Sequence, residues 1–86
     1  MIDDRLTIEA IKAVRGRRAV THGDAQETLS RTAALWSAYL GKEIRPTQVA
    51  VCMILVKLVR ARKYDRDHYI DTIGYALLAE EAARPW

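Results

Sequence analysis

Two kinds of side chain in this sequence are spaced so that they could act on a small molecule. Acids recur at helical spacing as Asp24-x-x-Glu27 and Asp67-x-x-x-Asp71, and cations as Lys57-x-x-Arg60. Four carboxylates converging on one point could hold Mg²⁺, which takes hard oxygen ligands in octahedral geometry and activates water for attack on a phosphoanhydride. A Lys/Arg pair could instead grip phosphate directly through charge-assisted hydrogen bonds. The two chemistries conflict at a single site, because the cations compete with a metal for the same acids, so the pattern favours salt bridges or bound phosphate over a metal cage. Charges at these spacings also occupy ordinary solvated helices, where Asp at the start and Lys or Arg at the end complement the macrodipole. Glu27 with Arg31 is such a pair. Lys57 is different, since it shares a stripe with Ala50, Met53, Ile54 and Ala61 on the most apolar stretch of the chain. A lysine there either snorkels to the nearest end of its helix or is held by a partner.

Other chemistry has little to stand on. Cys52 lies between Val51 and Met53 and reads as core packing. His22, beside Gly23, and His68 titrate near neutrality, but one cysteine and two histidines supply no zinc spacing. No glycine-rich phosphate loop and no nucleophile elbow is present. Tyr64, Tyr69 and Tyr75 read as packing residues, and the short basic run Arg15 to Arg18 is too mixed for a nucleic-acid arm.

Apolar residues recur with helical period along nearly the whole chain, which predicts an all-α fold. Four helices are expected: about Thr7 to Arg18; Ala25 to Leu40, capped by Asp24 and ended by Gly41; Pro46 to about Arg62; and Asp67 to about Ala83. Their core stripes run through Leu6, Ala10, Ala13 and Val14, then Leu29, Ala33, Trp36 and Leu40, and finally Ile70, Ile73, Gly74 and Leu77. The third helix is apolar nearly all round from Val49 to Val56 and so is expected at the centre. Short connections imply an antiparallel four-helix bundle. Counting outward from the turns then sets Lys57 level with Asp71, and Glu27 level with Arg60. One pole would gather eight cations against five acids, all of the chain's net charge of +3.

At 86 residues the chain is expected to be a single helical domain, with neither disorder nor a two-domain organisation in its composition. A lone cysteine fits a reducing compartment. No signal peptide is evident, and the apolar run Val49–Val56 falls short of the ~20 residues that span a bilayer, so a cytoplasmic protein with no membrane partner is expected.

The segments Gly23-Asp24-x-x-Glu27, Trp36-Ser37-Ala38-Tyr39-Leu40-Gly41, Lys57-x-x-Arg60 and Asp71-x-x-Gly74-Tyr75-Ala76 resemble a small family of proteins encoded by tailed phages and prophages. The likeness runs from about Gly16 to Glu81. It departs at His22, where such proteins usually carry tyrosine, and at Arg45, where a capping residue is more usual. More distantly the pattern is similar to the MazG-like all-α nucleoside triphosphate pyrophosphohydrolases, in which two acidic pairs hold Mg²⁺ around the substrate's phosphates. Asp24 and Glu27 match the first pair in character; Lys57 and Arg60 stand where the second is expected.

Three functions are thereby opened. The leading expectation is a phage accessory protein, acting in the bacterial cytoplasm, that binds a nucleotide-like or phosphorylated small ligand without a cofactor. Lys57 and Arg60 would contact phosphate, Asp71 would orient Lys57, Glu27 would anchor Arg60, and Tyr75 and His22 would flank the ligand. The second is a Mg²⁺-dependent pyrophosphohydrolase using Asp24, Glu27, Asp67 and Asp71. The third is a non-catalytic protein-interaction module, self-associating as a twofold dimer through Trp86 and the small Ala34/Ala38 face.

Overall fold

The computed structural model describes residues 1–17 and 24–85 of the chain. Among the described residues there are four α-helices and no strand: α1 (Arg5–Lys12), α2 (Ala25–Leu40), α3 (Pro46–Arg60) and α4 (Arg66–Ala83). α1 continues directly into a π-helical turn, Ala13–Arg17.

Local chemistry accounts for the helix ends. The Asp24 carboxylate accepts the Gln26 N–H at 3.2 Å, and the Asp65 carboxylate accepts the Asp67 N–H at 3.0 Å, so each satisfies an orphan donor of the helix it precedes. Asp65 therefore starts α4 one residue earlier than expected. At the first helix the Asp3 carboxylate accepts the Arg5 N–H at 3.0 Å, which moves the start ahead of Thr7. Gly41 closes α2 with φ +70°, a left-handed conformation that suits glycine, and its N–H donates to the Ser37 carbonyl at 2.9 Å. The Ser37 hydroxyl donates to the Ala33 carbonyl at 2.7 Å and accepts the Ile44 N–H at 2.8 Å, tying the 41–45 connection onto α2. The Arg45 side chain has no acceptor to offer α3; its carbonyl accepts the Gln48 N–H at 2.9 Å, and the Gln48 side chain accepts the Arg45 N–H at 2.8 Å, the returning half of a capping box.

α3 and α4 form the most extensive interface and run antiparallel, as the short turn between them implies. The other two helices do not follow the alternating order. α1 runs beside α4 in the same sense: Glu9 pairs with Arg66 near the start of both, Val14 sits against Gly74 farther along, and Arg15 lies beside Glu80 and Glu81. In an up-down bundle these two helices would oppose one another. α2 crosses the α3–α4 pair instead of lying along it. Its Gln26 donates to the Leu78 carbonyl at 3.0 Å and to Glu81 at 2.8 Å, near the end of α4, where strict antiparallel packing would set this turn beside Arg60. The expectation of four helices holds, and that of alternating antiparallel neighbours is corrected.

The central element is also corrected. α4 touches α1, the π turn, α2 and α3, whereas α3 contributes only Val49 and Ala50 to the fully buried set. The core is thin. It is built from Leu29, Ala33, Val49, Ala50 and Leu78, with Val14, Trp36, Ile44 and Tyr75 packed against it, and Val49 is the largest side chain fully enclosed. Leu40 and Leu77, expected inside, are exposed. The radius of gyration is 13.6 Å, against about 12 Å for a compact domain of this length.

Candidate functional site

Because α3 and α4 are antiparallel with a short turn, Lys57 and Asp71 meet. Lys57 Nζ lies 2.9 Å from Asp71 Oδ2, and the two side chains are 14% and 22% exposed. The pair sits in the seam between two helices, with the Lys57 ammonium engaged by Asp71. Arg60, one turn on, is exposed. Tyr75 is half-buried and packs against the core cluster, and Tyr64 and Tyr69 pack on each other with ring centroids 6.1 Å apart. His68 is half-buried, with Nε2 3.9 Å from Asp65 and Nδ1 enclosed without a hydrogen-bond partner.

The expected charged pole is divided. Crossing of α2 places Asp24 and Glu27 toward the far end of α4, and Glu27 pairs with Arg31 at 2.8 Å, so it does not anchor Arg60. Parallel alignment of α1 carries Arg15 to the same far end, beside Glu80, Glu81 and Arg84. At the near end remain Arg5, Arg60, Arg62, Lys63 and Arg66 with Asp3, Asp4, Glu9, Asp65 and Asp67, five of each sign. Arg66 clasps this end together by pairing with Glu9 and reaching Asp3 at 3.5 Å. Hydrogen bonds from the Arg5 side chain and N–H, with Arg66 alongside, hold the Asp3 carboxyl below its ordinary value of 3.8. His22, Arg18 and Trp86 lie outside the described residues.

The acids expected to share a metal do not converge, since Asp24 caps α2 at one end and Asp67 occupies the first turn of α4 at the other. Among the described residues no group of three His, Cys, Asp or Glu side chains is placed to hold a metal ion. Two hollows occur near the far end. One of about 220 Å³ lies between the tail of α1 and the last turns of α4, and a shallower one is lined by Asp24, Gln26, Ser30, Pro46 and Glu81. Neither includes Lys57, Arg60, Asp71 or Tyr75.

What the sequence reading missed is the outer face of α3. Val51, Leu55, Leu58 and Val59 are 45, 55, 58 and 69% exposed and lie opposite the face that Val49, Ala50 and Lys57 turn toward the other helices. The signal was present as a 3-4-3-4 spacing, Gln48, Val51, Leu55, Leu58, Arg62, polar at both ends.

Residues 5–83 match the profile of a protein family described as Domain of unknown function (DUF6378). The chain belongs to this family. It is 42% identical over 79 residues to the Gene 55 protein of Mycobacterium phage L5 and 40% identical over 70 residues to the Gene 55 protein of Mycobacterium phage D29. These alignments cover 88% and 79% of the chain but 51% and 46% of the relatives, so the chain spans about half the length of the curated proteins it matches. The expected kinship with a phage protein family is thus established, and the matched residues 5–83 include the segments that suggested it. No solved structure gives a significant match. Among the described residues no helix is long and apolar enough to cross a membrane.

Proposed function

We propose that this DUF6378 chain is a non-catalytic protein-interaction module of a phage protein, working in the cytoplasm of the bacterial host and presenting the outer face of α3 to another polypeptide. One observation carries this: four neighbouring aliphatic side chains are left in water on the most apolar helix, while the charged groups expected to do chemistry are paired or divided between two ends. Leaving such half-covered side chains in water forgoes about 1 kcal/mol for each one that could be buried, and contiguous apolar faces on small domains mark interaction surfaces.

The test is site-specific photocrosslinking. With a photoreactive phenylalanine analogue at Leu58, adducts to a polypeptide are expected on irradiation of cells making the protein; the same probe at Glu43, off that face, should give none. Equal labelling from both positions, or none from Leu58, defeats the proposal. A phosphorylated ligand at Lys57 and Arg60 is the second reading, favoured by the exposed Arg60 beside the half-buried Lys57. It predicts calorimetric heat with a nucleoside triphosphate that Lys57→Ala abolishes. Release of pyrophosphate in the presence of Mg²⁺ would reinstate catalysis.

A further inference from the structure

The occupant of the α3 face can be named from its pattern and from the area left uncovered. Gln48, Val51, Leu55, Leu58 and Arg62 form a two-heptad seam that reads the same in both directions, polar, apolar, apolar, apolar, polar, with Leu55 at its middle. A face with that symmetry is complementary to itself under a twofold rotation, the geometry of an isologous contact. The uncovered area agrees. The chain exposes 6646 Å². A compact monomer of 9.8 kDa exposes about 5,160 Å². The excess of roughly 1,500 Å² per chain is spread over the whole molecule, with Leu35 and Tyr39 of α2 among its contributors; the α3 face is one part of it, and doubled in a pair the total reaches the roughly 2,000–5,000 Å² that permanent homodimers bury. The thin internal core, with three alanines among its buried residues, points the same way, because a small domain short of enclosed apolar volume gains it by oligomerising.

We infer that the partner of this face is a second copy of the same chain, the two α3 helices packing antiparallel about a twofold axis at Leu55. This rests on the interaction reading above and specifies its partner. Leu55 meets its symmetry mate, Val51 lies between Leu58 and Val59 of the other copy, and Leu58 between Val51 and Cys52. The Gln48 and Arg62 ends lie at the rim, where polar groups keep contact with water.

The experiment is sedimentation of the 86-residue chain across a concentration series. Twice the 9.8 kDa chain mass is expected for the wild type. Leu55→Glu and, separately, Leu58→Glu should raise the dissociation constant about 100-fold or more while leaving the helical circular dichroism intact, since both positions are already open to solvent within one chain. The axis is checked with spin labels on Gln48→Cys in a Cys52→Ser background. Antiparallel pairing about Leu55 separates the labelled positions by about 21 Å along the helices, whereas parallel pairing sets them level. A wild type that stays at 9.8 kDa, a dimer that survives both glutamates, or level labels would each overturn the inference. A monomer that still forms specific adducts through Leu58 leaves the interaction reading standing with a different polypeptide as partner; a monomer without adducts removes both.

Discussion

Removing the lysine of the α3–α4 seam is the sharpest probe of how this fold is held. At 2.9 Å, and with an effective dielectric of about 20, the Lys57–Asp71 attraction is about 6 kcal/mol before desolvation of the two ions is subtracted. Both side chains are more than three-quarters covered, so the discount proper to a surface pair does not apply. Replacing Lys57 by methionine keeps the aliphatic stem but takes the cation away from Asp71. Fully buried pairs lose about 3–5 kcal/mol in that situation; Asp71 keeps a second interaction, which places the expected loss nearer about 2 kcal/mol. For a domain of this size that lowers the melting temperature by roughly 8–16 °C. Replacing both residues, Lys57→Met with Asp71→Leu, should recover the wild-type stability to within about 1 kcal/mol, because the seam then holds neither charge. Urea denaturation followed by far-UV circular dichroism, at one protein concentration for all four chains, yields the double-mutant cycle. A coupling energy below about 0.5 kcal/mol would show that the contact does not hold the two helices in register.

Three further outcomes follow from the geometry. Ser37→Ala removes the hydroxyl that accepts the Ile44 N–H, leaving a half-buried donor unpaired, and should cost about 1–2 kcal/mol by thermal melting; Ser37→Thr should retain most of the loss-free behaviour. At Gly74 an added Cβ would stand 3.3 Å from Val14 Cγ2, so Gly74→Ala should change stability by less than about 1 kcal/mol as the helix-propensity gain offsets the crowding, whereas Gly74→Leu should separate α1 from α4 and cost about 2 kcal/mol or more. Asp3 titrates below its ordinary 3.8 because Arg5 and Arg66 hold its ionised form, so its contribution is present above that pH and is lost as the pH falls through the lowered value. The difference in melting temperature between the wild type and Asp3→Asn should therefore persist at pH 6 and vanish once the solution is well below pH 3.8.

Features governed by neighbouring residues were legible in the sequence, and those governed by distant ones were not. Asp24, Gly41 and Pro46 mark their helix ends because capping, left-handed backbone and a missing N–H act within one turn. Lys57 and Asp71 could be matched by counting because only a short turn intervenes between α3 and α4. Counting failed across α1 and α2, where the helices approach through small residues, Ala33, Ala50 and Gly74, and the tilt such contacts permit leaves no trace in periodicity. That failure moved Glu27 and Arg15 away from Arg60 and so divided the expected pole. The α3 face was misjudged for another reason: an all-round apolar helix signals burial without saying whether its neighbours belong to one chain or two.

The parallel seating of α1 on α4 shapes how the protein comes into being. Glu9 and Val14 meet Arg66 and Gly74, some sixty residues downstream, so α1 leaves the ribosome with that side bare and waits there while α2, α3 and α4 are synthesised. Closing so long a loop is entropically demanding and slows assembly compared with a bundle whose helices zip up in order. That delay is an interval of vulnerability to proteases and aggregation, and it ends when α4 arrives.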